Sequence, residues 1–395
     1  LNTLILSKKC ERRLIQGHLW IYSNEVDRQR SPLTQFEAGE QVQVMTADGT
    51  ILGLAFVSPH ALICGRLISR SASEPMTGLV LAQRLQQALD LRSTVFPVPC
   101  YRLVYGDSDG LPGLVIDRYF DTCVVQISLA GMEHFKLEIQ AALVDVVGAK
   151  TVVFKNDGKM RGVEGLPEYV EFALGEPRDD VELEENGVRF VAPLIQGQKT
   201  AWFFDHRMSR QRLQQYAPGK RVLDLFSYVG GWGIQALAAG AQTLTCVDAS
   251  ALALGYVQRN AARNQLGDVR TLEGDVFTIA QQLRQQGEIF DIVIADPPAF
   301  IPRKKHEREG LQAYHRLNQL ALRLLVEGGL LVSGSCSMHL TRDQLRDVIR
   351  TAGRKTGRFV QILEEGGQGP DHPIVPSIPE TDYLKASFVR ALPGW

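Results

Sequence analysis

A cysteine between two serines, Ser335-Cys336-Ser337, follows the apolar run Gly329-Leu330-Leu331-Val332-Ser333. A thiol placed at the end of such a run can act as a nucleophile once ionised. Taken alone, a free cysteine is more often a small buried apolar residue. A second apolar run ends in Asp296-Pro297-Pro298-Ala299-Phe300. Two consecutive prolines forbid strand continuation and stiffen the backbone, so Asp296 is presented at a fixed place. A third run, Val222-Leu223-Asp224-Leu225-Phe226, passes into Ser227-Tyr228-Val229-Gly230-Gly231-Trp232-Gly233. A glycine-rich turn opening a helix lets the backbone approach a ligand and aims free N–H groups at it. A fourth run ends in Val247-Asp248-Ala249, where an acid can accept hydrogen bonds from both hydroxyls of a ribose. A fifth leads into Gly274-Asp275-Val276-Phe277, where an Asp can hold an adenine amino group.

Each feature alone is weak, because a strand-ending Asp caps a helix by default. Together they point to an adenosine-containing cofactor at the carboxyl ends of a parallel sheet. Gly231-Trp232-Gly233-Ile234-Gln235-Ala236 also satisfies the dinucleotide fingerprint G-x-G-x-x-[GA], so a dehydrogenase has to be weighed. Hydride transfer has no use for a rigid acid-Pro-Pro station, whereas a methyltransferase uses one to grip a target base. The pattern therefore favours methyl transfer from S-adenosylmethionine. Exocyclic amines attack a methyl sulfonium without covalent help, but C5 of a pyrimidine is a poor nucleophile. A thiolate adding to C6 creates a carbanion at C5 that takes the methyl, and loss of the C5 proton then releases the thiolate. Cys336 is placed for that route; Cys246, inside an apolar run, reads as core.

The elements that must position these residues fall into three regions. Residues 1–72 alternate short β-type runs (TLILS, QVQVMTADGTILGLAFV, ALICGRLI) with turns such as Asp48-Gly49, which predicts a small barrel. Residues 73–190 open with a helical pattern, LVLAQRLQQALDLRSTV. They continue through strands at LVIDRY, CVVQISLA and TVVFK, with a helix near HFKLEIQAALVDVV, as a central α+β domain closed by the acidic stretch EPRDDVELEE. Residues 191–395 alternate buried-type strands with helices, the rhythm of a Rossmann-like, doubly wound and mostly parallel α/β sheet. Its last two strand candidates, RFVQILEE and YLKASFVRAL, come without a convincing helix between them, which suits a methyltransferase sheet whose final strand is antiparallel.

Composition fits this reading. The 395 residues exceed one core, and 45% hydrophobic with 22% charged residues describes an ordinary soluble chain. No uninterrupted apolar stretch is long enough to span a bilayer, and the start LNTLILSKKCERR lacks an export signal. Six scattered cysteines without a C-x-x-C pair favour a reducing cytoplasm over disulfides or a zinc site, so no metal is expected. Net charge is −1, yet residues 8–30, the segment RKKHER at 303–308 and residues 342–358 are basic. Such segments can meet a phosphate backbone or be ordinary solvated faces.

The order of motifs resembles bacterial 23S ribosomal RNA cytosine-5 methyltransferases over essentially the whole chain. LILSKKCERRLIQGHLWIYSNEV is similar to the opening of that family's PUA domain, an RNA-binding barrel. The run Gly106-Asp107-Ser108-Asp109-Gly110-Leu111-Pro112-Gly113 through Tyr119 resembles its most specific stretch, and GQKTAWFFDHR at 197–207 a segment that closes over the cofactor. Asp371-His372-Pro373 and Tyr383-Leu384-Lys385 match further positions. The resemblance implies a class I methyltransferase with a seven-stranded sheet, S-adenosylmethionine as donor, 23S ribosomal RNA as partner and 5-methylcytosine as product. Cys336 would be the nucleophile, and Asp296 would meet the cytosine amino edge or N3, the latter only when protonated. Asp224, Phe226, Ser227, Tyr228, Gly230, Gly231, Asp248, Ala249, Asp275 and Val276 would surround the donor. Lys199, Thr200, Asp205 and Arg207 would join them from the closing segment. Pro297, Pro298, Phe300 and Phe204 would line the base, with Trp202 and Phe203 as further aromatic walls.

The chain departs from the family at Ala299, where relatives carry Lys, at His206 for a usual Gln, and at Ala201 for a usual Gly. No second cysteine stands beside Pro298, so another base or water must take the C5 proton. His372 is a candidate, against a structural Asp-His-Pro turn. Competing readings are a ribosomal RNA methyltransferase acting on a purine and an RNA-binding assembly factor with an inactive catalytic domain. The target nucleotide, the assembly state of the substrate and pairing into a homodimer are left open.

Overall fold

The alternation Gln41-Val42-Gln43-Val44-Met45 folds as a strand with Val42 and Val44 fully buried, as a half-buried sheet requires. The protein is represented by a computed structural model in which residues 1–394 are described. The chain forms two compact units, one comprising Leu1–Val181, Pro193–Trp202 and Pro370–Thr381, the other Glu182–Ala192, Phe203–Gly369 and the residues from Asp382 on.

In the first unit, strands Thr3–Ile5, Gln41–Met45, Ile51–Val57, Ile63–Ser69 and Trp20–Tyr22 lie in that spatial order. Residues just beyond the two edge strands, Leu6 and Val26, form an antiparallel bridge. The edges thereby meet, and the sheet closes around Leu4, Leu6, Val42, Val44 and Cys64, none of which has exposed surface. A second sheet contains Leu114–Tyr119, Thr122–Ile127 and Thr151–Asn156, the three strands expected from sequence. It is flanked by Cys100–Tyr105 and Tyr169–Leu174, whose burial does not alternate and which periodicity therefore missed. The Asp-His-Pro turn is pinned here. Asp371 accepts from the Arg102 backbone N–H at 3.1 Å, and its carbonyl accepts from Arg92 at 2.8 Å.

The second unit takes in most of a hairpin, β1 (Asp180–Glu185) and β2 (Val188–Pro193). The acidic stretch is thus largely a strand. Its turn is Asn186-Gly187, both residues left-handed at φ +54° and +79°, the conformation that two-residue hairpin turns demand. The main sheet has β3 (Arg221–Leu225), β4 (Thr243–Asp248), β5 (Arg270–Glu273), β6 (Phe290–Ala295), β7 (Leu325–Ser335), β8 (Arg358–Gly366) and β9 (Lys385–Pro393), in the order β5-β4-β3-β6-β7-β9-β8. The first five are parallel, and β9 runs antiparallel between β7 and β8. Helices α1 (Arg207–Gln214), α2 (Gly231–Ala238), α3 (Ala251–Arg263), α4 (Val276–Gln285), α5 (Glu307–Arg323) and α6 (Arg342–Thr356) fill the connections. Because β3 has its successor β4 on one side and β6 on the other, chain order reverses there. Ligands of such sheets bind at the carboxyl ends beside this reversal.

One buried side chain ties three of these pieces together. Asn260 of α3 accepts from the Val191 N–H at 2.8 Å and donates to the carbonyls of Val191 and Val229 at 3.1 and 3.0 Å. Removing it orphans a buried N–H and two carbonyls, each worth on the order of 1 kcal/mol or more. Asn260→Ala is expected to lower unfolding free energy by about 3 kcal/mol in urea titrations. A change of less than about 0.5 kcal/mol, the range of neutral surface substitutions, would refute this bracing role.

Candidate active site

The carboxyl ends of β3, β4 and β6 bring three of the predicted acids together. Asp224, fully buried in β3, accepts from the Gly233 N–H of α2 at 2.9 Å. A Cβ on Gly233 would lie 3.0 Å from that same carboxylate oxygen, so glycine is what lets the helix start so close. The other oxygen, Oδ1, is buried without a hydrogen-bond partner. Burial, helped by the charges of Asp296 and Asp248, pushes the Asp224 carboxyl up to about 8. Asp248, at the end of β4, accepts from the backbone N–H groups of Tyr228 and Ser250, both at 2.9 Å. The turn between β3 and α2 is held in an unusual shape, with Phe226, Tyr228 and Gly230 at φ +63°, +48° and +86°. Ser227 bridges it, donating its N–H to the Val247 carbonyl at 3.1 Å and accepting from Gly230 at 2.8 Å. Gly231 is buried at the first turn of α2, whereas Ala249 is exposed. Asp275 caps α4 by accepting from the Thr278 N–H at 2.9 Å, and Val276 is buried behind it.

Asp296 follows β6 and is held from two sides. Trp232 Nε1 donates to Oδ2 at 2.9 Å, and His206 Nε2 lies 3.1 Å from Oδ1 as an ion pair. Burial alone would raise this carboxyl, but the His206 charge and the Trp232 hydrogen bond outweigh it and hold Asp296 below its ordinary range. Burial would conversely lower His206, and the Asp296 charge more than offsets that. Both shifts favour the ionised form of the pair.

On the neighbouring parallel strand, Ser333 pairs with Ala295, so Gly334 lies beside Asp296. A Cβ at Gly334 would sit 2.9 Å from Asp296 Oδ1. Two residues on, the half-buried Cys336 has its Sγ 3.9 Å from the Pro297 carbonyl oxygen. Its flanking serines are anchored underneath, since Tyr314 of α5 shares hydrogen bonds with Ser335 and Ser337, each at 2.8 Å. Ser337 Oγ also accepts from the Ile301 N–H at 3.2 Å, tying the Asp-Pro-Pro loop to the cysteine loop. Lys385 donates to the carbonyls of Ser337 and Leu340 at 2.8 and 2.6 Å, and burial lowers its ammonium to about 8. Phe226 and Phe300 meet edge to face at 6.2 Å, forming an aromatic wall between the turn after β3 and the loop after β6. Pro297 is buried and Pro298 exposed.

The segment 197–207 divides. Asp205 is buried and accepts from Tyr383 Oη at 2.6 Å, and Arg207 is buried with its guanidinium 5.2 Å over the Phe204 ring. Lys199 and Thr200 belong to the first unit, where Thr200 hydrogen-bonds Asp117 and its carbonyl accepts from Tyr119 at 2.7 Å. Phe204, expected to wall a base, has no exposed surface and packs inside; Phe203 is the half-buried ring, 5.6 Å from Tyr228. Trp202 is buried as well. His372, weighed as a base, is buried in the first unit against Asp371 and Tyr105. Sequence reasoning passed over Trp232, Tyr314 and Glu185. Glu185 is a fully buried carboxylate that accepts from Arg210 at 2.6 Å and Gln235 at 2.8 Å. For Glu185 the Asn-Gly turn was the available signal; for Trp232 and Tyr314 nothing local distinguishes a hydrogen-bonding ring from a core ring.

A family model described as S-adenosylmethionine-dependent methyltransferase matches residues 166–386, and a PUA-like domain model matches residues 4–70. The chain is 33% identical to "Ribosomal RNA large subunit methyltransferase I" of Shigella boydii and 34% identical to the protein of that name from Yersinia pestis. Each alignment spans 98% of this chain and 99% of the relative. A structure from Streptococcus mutans described as a SAM-dependent methyltransferase superposes with a TM-score of 0.84 at 23% identity, covering 99% of this chain and 100% of the other. Another methyltransferase structure, complexed with SAH, superposes at 0.85 and 24% identity with the same coverage.

S-adenosylmethionine carries a sulfonium and an ammonium. The carboxyl ends of β3, β4 and β6 offer clustered acids, with an unpartnered buried oxygen on Asp224, and a cation there relieves their mutual repulsion. The residues fit the cofactor. Without it, Asp224 is raised from 3.8 to about 8 on folding, so between those values the folded state holds one more proton than the unfolded chain. This contribution to stability therefore declines as pH rises across that window. Asp224→Asn should melt higher than the wild type at pH 8 when ligand-free, with the gap closing toward pH 4, in calorimetric scans. It should also bind S-adenosylmethionine at least about tenfold more weakly, roughly 1.4 kcal/mol. Equal melting at pH 8 or undiminished binding would contradict the assignment.

Proposed function

The chain belongs to the S-adenosylmethionine-dependent methyltransferases that include ribosomal RNA large subunit methyltransferase I, and on that footing we propose that it methylates C5 of a cytosine in 23S ribosomal RNA through a Cys336 adduct. The observation that carries this reading is the juxtaposition of Cys336 and Asp296 on adjacent strand ends. The thiol lies 3.9 Å from the carbonyl of Pro297, the residue after Asp296, and follows by two residues the Gly334 that sits beside that carboxylate. Methylation of an exocyclic amine needs the carboxylate but has no use for the thiol.

The extruded cytosine would enter between the loop after β6 and the cysteine loop, because a stacked base cannot present C6 to a thiol. Asp296, kept as a carboxylate, would accept from the cytosine amino group. Cys336 would add to C6, near enough to Lys385 for the two charges to interact favourably. Phe300, Pro297 and Pro298 would line the base. Asp224, Ser227, Gly230, Asp248 and Asp275, with the residues beside them, would hold the donor, which supplies an electrophilic methyl group. RNA would be gripped by the PUA-like barrel over 1–72 and by Arg303, Lys304 and Lys305, which are exposed. The basic residues of α6 are less available, since Arg346 pairs with Glu365 at 2.5 Å and Arg350 with Asp347 at 2.5 Å.

Wild type and Cys336→Ala would be incubated with tritiated S-adenosylmethionine and unmodified ribosomal RNA, and the RNA digested to nucleosides. Label in 5-methylcytidine with wild type, lost by at least about a thousandfold in the variant, is expected of a covalent nucleophile. Label in a purine, or full activity of the variant, would overturn the cytosine reading.

A further inference from the structure

Asp296 has a chemical problem that its surroundings answer. When a thiolate adds to C6 of cytosine, the electron pair of the C5=C6 bond moves through C4 onto N3, and the addition is uphill unless N3 gains a proton. A carboxylate held ionised by its neighbours has none to give. His206 does: its Nε2 lies 3.1 Å from Asp296 Oδ1. The His206 ring packs at 5.2 Å against Trp232, whose indole N–H fixes the opposite oxygen of the same carboxylate at 2.9 Å.

We propose, resting on the cytosine reading above, that His206 is a positioning residue that stores a proton and lends it through Asp296 to N3 of the target base. As the S–C6 bond forms, Asp296 takes the His206 proton and hands it on to N3, which leaves Asp296 a carboxylate again and His206 neutral. The C5 proton leaves separately to water or another base. When the C6–S bond breaks and the ring regains its C5=C6 bond, N3 returns its proton through Asp296 to His206. Nothing is consumed, and no co-reactant is needed. The ion pair is not yet aligned as a hydrogen bond, as is common for catalytic groups before the substrate seats. Nδ1 of the ring is buried without a hydrogen-bond partner, so the proton that His206 lends is the one it holds toward Asp296.

The groups facing His206 are consistent with a protonated ring. Asp205 on its own segment and Asp296 at the end of β6 favour the charge, and Arg210 of α1 opposes it. Trp232 of α2 is neutral, and burial keeps the Asp224 carboxyl of β3 protonated up to about 8, so it adds no charge there near neutrality. Gln at this position would keep a donor toward Asp296 but carry no mobile proton.

The test compares pH profiles of kcat for wild type and His206→Gln, with the labelled nucleoside identified in every reaction. Wild-type activity should fall on the alkaline side as His206 loses its proton. His206→Gln should lose that alkaline limb and run about a hundredfold slower near neutrality. Its KM for RNA and its affinity for S-adenosylmethionine should stay within about twofold, values set by binding rather than by proton supply. A nitrogen-15 NMR titration of the wild-type imidazole should give a midpoint coinciding with the alkaline limb, a readout that does not depend on the variant folding. An unchanged alkaline limb in His206→Gln, or an imidazole midpoint far from the limb, overturns the relay while leaving 5-methylcytidine formation intact. Label in any other nucleoside overturns the cytosine reading itself, and the relay with it.

Discussion

The carboxylate of Glu185 organises the groups that hold Asp296. It is fully buried in the hairpin ahead of the main sheet, and an uncompensated charge there would be prohibitively costly. Arg210 of α1 and Gln235 of α2 supply its hydrogen bonds, and Arg207 adds an ion-pair contact at 3.5 Å. Those same two helices begin with the side chains that grip Asp296: His206 immediately precedes α1, and Trp232 lies in the first turn of α2. One buried anion thus sets the spacing of two helix starts, and these set the orientation of a second anion. Loosening Glu185 would move both partners of Asp296 at once.

The catalytic end of the sheet is accordingly a place where negative charge is concentrated and then selectively answered. Asp248 is satisfied by two backbone N–H groups, Asp296 by an imidazole and an indole. Asp224 is left with one oxygen unanswered. That oxygen is left for a cationic donor to meet, so part of the cost of forming the site is carried by the folded scaffold and recovered on binding.

Much of this was legible in the residues. The parallel strands were readable because each is a short apolar run ending in a polar station, and Asp224, Asp248, Asp296 and Cys336 do gather at the ends of their strands. The α/β rhythm and the early barrel strands followed from periodicity in the same way, and the antiparallel final strand from the missing helix before it. What escaped were features whose meaning is tertiary. The stretch 176–185 reads as surface acid by composition, yet Glu185 is buried because two distant arginines reach it. Phe203 and Phe204 are adjacent and chemically alike; only packing decides that one ring is half-buried and the other interior. His206 reads as an incidental replacement until the structure puts Asp296 beside it. The basic pattern of α6 suggested a phosphate surface, and ion pairs within the helix and with β8 occupy part of it.

The position of β9 has a temporal meaning. This strand lies between β7 and β8, both of which precede it in the chain, and its first residue, Lys385, clamps the backbone beyond Cys336. During vectorial synthesis β7 and β8 emerge first and must leave a strand-wide gap, because neither is the other's final neighbour. The loop bearing Cys336 therefore stays unclamped until β9 has left the ribosome and inserted. Setting of the loop that carries Cys336 is in this way coupled to the arrival of a strand made after both of its neighbours, long after the N-terminal barrel strands have been synthesised.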